Sequence, residues 1–109
     1  MNTASLVPLG VLEEQILLAV LRTGDEAFGM AVRREIKRVT GRDLAIGAVY
    51  STLDRLEAKG ALVSRRIVEG GVSRRRFAVA RAGARALADT RAMRERLWNG
   101  VELKWSGAG

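Results

Sequence analysis

Apolar residues recur along the first part of the chain at helical spacing. Leu9, Leu12, Ile16 and Val20 step by three or four, and Leu17 and Leu21 widen the stripe. The pattern predicts a helix buried on one broad face. It opens near Pro8, whose fixed φ suits a first turn, and stops at Gly24. Asp25 and Glu26 then stand where a new first turn favours negative charge. A second helix is predicted over 27–39, with Phe28, Val32, Ile36 and Val39 inward and Arg33, Arg34, Lys37 and Arg38 outward. Thr40-Gly41 ends it, and 42–45 form a short connector. A third helix runs over 46–59 on the stripe Ile46, Val49, Leu53 and Leu56, with Gly60 as its stop.

The period then changes. Residues 61–68 and 74–79 read as two strands, and Gly70-Gly71 between them is a hairpin turn signal. A long last helix is predicted over 81–105, with Leu87, Leu97, Trp98, Val101 and Trp105 among its apolar positions. Gly100 inside it costs about 1 kcal/mol relative to alanine. The expected fold is mainly α with a small β-hairpin: a winged helix-turn-helix over 1–80, a long C-terminal helix over 81–105, to which the resemblance below gives the role of dimerisation helix, and a loose tail at 106–109. The length of 109 residues fits one core, and a hydrophobic fraction of 48% is too high for a disordered chain.

Charge changes the picture. The chain carries 19 Lys and Arg against 12 Asp and Glu, a formal net charge of +7. Over residues 1–30 Arg22 stands alone against Glu13, Glu14, Asp25 and Glu26. Over 65–76 five arginines face only Glu69. A basic excess concentrated in the middle of the chain points to a polyanionic partner. Histidine and cysteine are both absent, which removes disulfides, the commonest zinc ligands and the Ser-His-Asp and Cys-His nucleophiles. The adjacent carboxylates Glu13-Glu14 and Asp25-Glu26 point apart on a helix and make no acid–base pair. No enzyme, metal or cofactor is expected. The longest apolar run, 16–21, is too short to span a bilayer, and no signal peptide is read, so a cytoplasmic location is expected.

A short step between the second and third helices suits a helix-turn-helix, and the major groove of B-DNA admits one helix. On the third helix Gly47 and Ala48 allow close approach, while Ser51, Thr52, Arg55 and Lys59 offer polar groups. Tyr50 lies beside the buried stripe, with its hydroxyl free to reach the DNA surface. The hairpin adds Arg65, Arg74, Arg75 and Arg76, and also Arg66. Strand alternation means that these arginines do not all face one way, so either Arg74 and Arg76 or Arg75 alone would meet DNA.

The run Ile46-Gly47-Ala48-Val49-Tyr50-Ser51-Thr52-Leu53-Asp54-Arg55-Leu56-Glu57-Ala58-Lys59-Gly60 resembles the recognition helix of the PadR family of bacterial transcriptional regulators. Ala27-Phe28-Gly29-Met30, then Val32 to Ile36, and Arg74-Arg75-Arg76-Phe77 followed by Gly83 resemble its second helix, second wing strand and last helix. The resemblance covers about 9–87. It implies a winged-helix homodimer that represses promoters at a palindromic operator, with Tyr50 and the wing's basic residues toward DNA and the last helix making the dimer. Phe28 stands where that family usually has tyrosine, and Ala45 and Ala80 replace frequent capping residues.

Seven residues apart on a predicted helix, Trp98 and Trp105 would share one face with Leu97 and Val101 nearby. One reading has them at the dimer interface. The other makes them a clamp for a flat aromatic effector, as in the compact subgroup of the family. An adaptor that uses the winged fold to bind a protein is the further alternative.

Overall fold

The computed structural model describes residues 8–107. Its order is α1 (Val11–Thr23), a single 3-10 turn (Gly24–Glu26), α2 (Gly29–Thr40), α3 (Ile46–Ala58), β1 (Leu62–Glu69), β2 (Val72–Val79) and α4 (Arg81–Trp98). Four helices and one antiparallel hairpin make the expected winged-helix arrangement. The start of the 1–80 segment and the end of the tail, residues 1–7 and 108–109, lie outside the described residues.

α1 begins at Val11, later than its apolar pattern suggested. Pro8 and Leu9 precede the helix, and Leu9 is buried with its N–H donating to Thr90 Oγ1 on α4 (3.2 Å). Gly10 donates its N–H to Glu13 Oε1 (2.9 Å), which satisfies an amide at the helix start. Ile16, Leu17, Ala19 and Val20 enter the core, but Leu18 and Leu21 stay exposed. Gly24, at φ +56°, ends the helix as the sequence suggests.

Phe28 departs from its expected place inside α2. Phe28 is extended (φ −91°, ψ 155°) and bridges Arg76, and Phe77 donates its N–H to the Ala27 carbonyl (2.9 Å). This single bridge covers part of the free edge of β2, and α2 starts only at Gly29. Val32 and Ile36 are buried, and Gly41 closes the helix in the left-handed region. Val39, expected inward, is exposed. With Leu18, Leu21 and Ile36 it lines an apolar groove of about 340 Å³ between α1 and α2.

The connector to α3 is held by α2 itself. Arg33 donates to the Leu44 carbonyl (2.6 Å) and to Asp43 (3.0 Å). α3 then buries Val49, Thr52, Leu53 and Leu56. The hairpin pairs Leu62 with Val79 at its base and Glu69 with Val72 at its tip. Gly70 and Gly71 both have positive φ, as a two-residue hairpin turn requires. Leu62 and Phe77 close the core from the sheet side.

α4 is anchored at its start and free at its end. A Cβ at Gly83 would lie 2.2 Å from the Ala61 carbonyl oxygen, so only glycine allows this helix so close to β1. From Arg94 onward every residue of the helix is exposed. The helix stops at Trp98, short of the expected 105. Asn99 turns extended (ψ 122°) and Gly100 takes φ +76°. Val101 and Trp105 therefore lie beyond the helix, and Trp98 and Trp105 share no helical face. The glycine that was expected only to weaken the helix marks its end.

Two predictions follow from this packing. Gly83→Ala forces α4 away from Ala61 and destabilises the fold by about 1–3 kcal/mol; urea unfolding at an unchanged midpoint would refute the contact. Glu35 bridges α1 and α2 by accepting from Arg22 (2.6 Å) and Arg38 (2.8 Å), and hydrogen bonds from Arg38 and then Arg22 hold its carboxyl down to about 2. A lowered folded-state value means stability present above the ordinary 4.5 and lost as pH falls toward 2. Thermal melts across that window are expected to show a shallower acid loss for Glu35→Gln than for wild type.

Candidate nucleic-acid interface

α3 turns its buried stripe to the core, which leaves Gly47, Ala48, Ser51, Asp54, Arg55 and Ala58 exposed. Gly47, Ser51, Asp54 and Ala58 are spaced four, three and four apart and form the outermost line. The small residues at the first turns let a partner surface reach the helix backbone. Ala45 supplies no side-chain cap, so the first amides of α3 are unshielded as well.

Tyr50 is partly exposed, and its ring lies across the start of α2. A Cβ at Gly29 would stand 2.3 Å from its Cζ and 2.5 Å from its hydroxyl oxygen. Gly29 is thus required so that the phenol can reach this face.

Two of the expected α3 residues are placed otherwise. Thr52 is buried, and its hydroxyl donates to the Ala48 carbonyl (2.9 Å), so it is a core residue and not part of the exposed face. Its place between Val49 and Leu56 is why the 3.6-residue period sweeps it inward. Lys59 points to α1, where its Nζ meets Glu13 Oε2 (3.2 Å). Burial pushes the Glu13 carboxyl up, but the Gly10 amide, Lys59 and Arg55 together bring it below its usual value. Arg55 stays exposed, 3.9 Å from the same carboxylate.

The wing's arginines divide by strand face. Register sets Arg66 opposite Arg75 and Arg65 opposite Arg76. Arg75 shares the Phe77 face and turns to α3. It donates to Asp54 (2.8 Å) and Glu57 (2.7 Å), and its guanidinium sits 4.7 Å from the Phe77 ring centroid. The hydrogen bond to Asp54 chiefly, with Glu57, raises its pKa against the opposing effect of burial. Arg75 is therefore a brace between wing and helix, and not the free phosphate-seeking cation that the sequence suggested.

Arg74 stacks over Phe28 at 3.9 Å from its ring centroid, with Glu69 3.9 Å away. Arg65 and Arg76 have no carboxylate partner among the described residues, although they are directly opposed. Like charges placed so are unfavourable across a strand pair, and an anion between or beside them relieves the repulsion.

A concavity of about 600 Å³ joins these parts, walled by Phe28, Arg34, Tyr50, Arg66, Arg74 and Arg75. From the sequence Arg66 was named only with the other hairpin arginines, and Arg34 only as an outward residue of the second helix. On α2, Arg33 and Lys37 turn to Asp43 and Arg38 to Glu35, and Arg34 has no carboxylate partner among the described residues. Among the described residues Arg66 donates only to the Ser73 hydroxyl, at 3.4 Å. Their periodicity marked them as exposed, but their partners' positions could not be known from it.

Residues 17–89 match the transcriptional regulator PadR-like family. The chain belongs to that family. It is a family of transcriptional regulators and not of enzymes, and regulation through DNA is the chain's activity. A PadR family regulator from Eggerthella lenta is similar at 26% identity and a TM-score of 0.62, covering 83% of each chain. A PadR family regulator from Clostridium difficile has 21% identity and a TM-score of 0.58 over 79% of this chain and 86% of that one. The complex structure of hsRosR-S4 shares the fold at a TM-score of 0.67 and 19% identity, over 93% of this chain and 84% of that one. No curated protein matches the sequence. Among the described residues no helix is long and apolar enough to cross a membrane.

Each uncompensated arginine that meets a phosphate contributes about one unit to the slope of log affinity against log salt. Arg34→Ala and Arg66→Ala are each expected to flatten that slope by about one unit on any duplex. Fluorescence anisotropy titrations at several salt concentrations check this, and an unchanged slope removes the residue from the interface.

Proposed function

We propose that this PadR-like chain is a repressor that works in the cytoplasm as a homodimer on a palindromic operator. The observation that carries the reading is the exposed small-residue line of α3 set beside a concavity whose arginines outnumber their carboxylates. α3 enters the major groove through Gly47, Ala48, Ser51 and Arg55, and Tyr50 borders it. Arg34, Arg65, Arg66, Arg74 and Arg76 hold the backbone on either side. Phosphate contacts set orientation, and the groove-facing residues supply selectivity.

The dimer reading rests on apolar surface. Leu18 and Leu21 of α1 and Leu87 of α4 line a groove of about 450 Å³. Trp98 continues the helical line of Leu87, Arg91 and Arg94 past the end of that groove. Two copies related by a two-fold axis would bury both grooves against one another and carry two α3 helices. Half-sites then fall about 34–36 Å apart, or at a multiple of that spacing. An effector-responsive form is the second reading: exposed Trp98 gives a flat aromatic ligand one stacking surface at such an interface, without the help of a helical Trp105.

Selection from a random duplex pool tests the proposal. An inverted repeat is expected, and Arg55→Ala is expected to weaken binding to it about tenfold, the scale of one good base contact. A pool that yields no repeat, together with a monomer at micromolar concentration in sedimentation, would defeat the homodimeric repressor.

A further inference from the structure

Asp54 is the acid on the outermost line of α3, between Ser51 and Ala58. Its side chain is 57% exposed. A carboxylate there is an awkward occupant of a DNA-facing surface, because it would repel phosphate unless its charge is offset and its position is fixed. Both conditions are met. Oδ1 accepts from Arg75 Nη1 at 2.8 Å. Arg75 is itself held at its other nitrogen by Glu57 Oε1 (2.7 Å) and below by the Phe77 ring. Glu57 is fixed in turn by the Ser64 hydroxyl, which donates to its Oε2 (2.7 Å). Four residues on α3, β1 and β2 thus orient one carboxylate. Its second oxygen has no partner among the described residues.

We propose that Asp54 is a specificity-determining residue that accepts a hydrogen bond from the exocyclic amino group of a cytosine in the major groove. Arg75 is its positioning residue. The inference rests on the reading that α3 enters the major groove. The selection follows from the donors and acceptors of the base edges. Guanine shows O6 and N7, and thymine shows O4, all acceptors that repel a carboxylate. Adenine offers an amino group, but its N7 acceptor stands beside it. Cytosine presents its amino group as its one polar group in that groove, and so suits an acceptor-only side chain. Arg75 offsets the charge that would otherwise push the phosphates away, so the acid discriminates among bases without opposing DNA binding as a whole.

The test uses the full chain and the best duplex from a random pool, with each base pair of a half-site changed in turn. Wild type is expected to prefer cytosine at one position by about tenfold over the other bases. Asp54→Ala loses that preference and keeps the others. Asp54→Asn moves it toward adenine, whose amino group and N7 suit an amide. Arg75→Ala relaxes the same position, and the double variant relaxes it no further, a pattern that a general loosening of the wing does not produce. Thermal melts confirm folding, and the Asn variant keeps the test open if the Ala variant is unstable. If Asp54→Ala changes affinity for every duplex by the same factor, or leaves a cytosine preference in place, the proposal is overturned while the major-groove reading stands. If wild type shows no base preference at any position, that reading fails too.

Discussion

Phe77 is the residue on which the arrangement of the site depends. Its ring is buried in the core, its N–H bonds to the Ala27 carbonyl, and its face supports the Arg75 guanidinium. Through these three contacts β2 is joined to the body, to the segment before α2, and to α3. The wing is thereby tied to the core on two sides. A two-stranded hairpin alone is marginal in water, and here the bridge at Phe28 and the helix beneath supply what it lacks. The geometry of the basic concavity follows in part, because Phe28, Ser73, Arg74 and Arg75 among its walls lie on β2 or on the residue bridged to it.

Charge is distributed by the same frame. Many of the chain's cations are held by carboxylates, Arg38 by Glu35 within α2 and the others between segments: Arg22 at Glu35, Arg33 and Lys37 at Asp43, Lys59 at Glu13, Arg94 at Glu14. Those at Arg34, Arg65, Arg66 and Arg76 lack such partners among the described residues. A formal net charge of +7 is thus not spread evenly as solubilising surface. Exposed ion pairs contribute little to stability individually. Their larger effect here is to decide which arginines remain available to an anion.

Local pattern was enough to locate the elements. Periods of 3.6 and 2, with glycines at 24, 41, 60 and 70–71, suffice for four helices and one hairpin, because burial of one face and positive φ are local demands. The motif around Tyr50 was likewise legible, and with it the family. What the tertiary structure decided is which side chains are free. Phe28 fits a helical stripe, yet an open strand edge drew it into the sheet. Thr52 looks like one more hydroxyl on a polar helix, yet rotation of α3 against the core buries it. Trp105 falls in phase with Trp98 only if the helix continues, and Gly100 stops it where no neighbour packs against the chain. Arg75 and Arg76 are adjacent and chemically identical. One is locked by acids contributed from α3 and the other is not, because alternation along β2 sends them to opposite faces and only one face has a helix beneath it. Periodicity marks most of what is exposed; only packing between distant segments corrects the rest and tells what an exposed charge already holds.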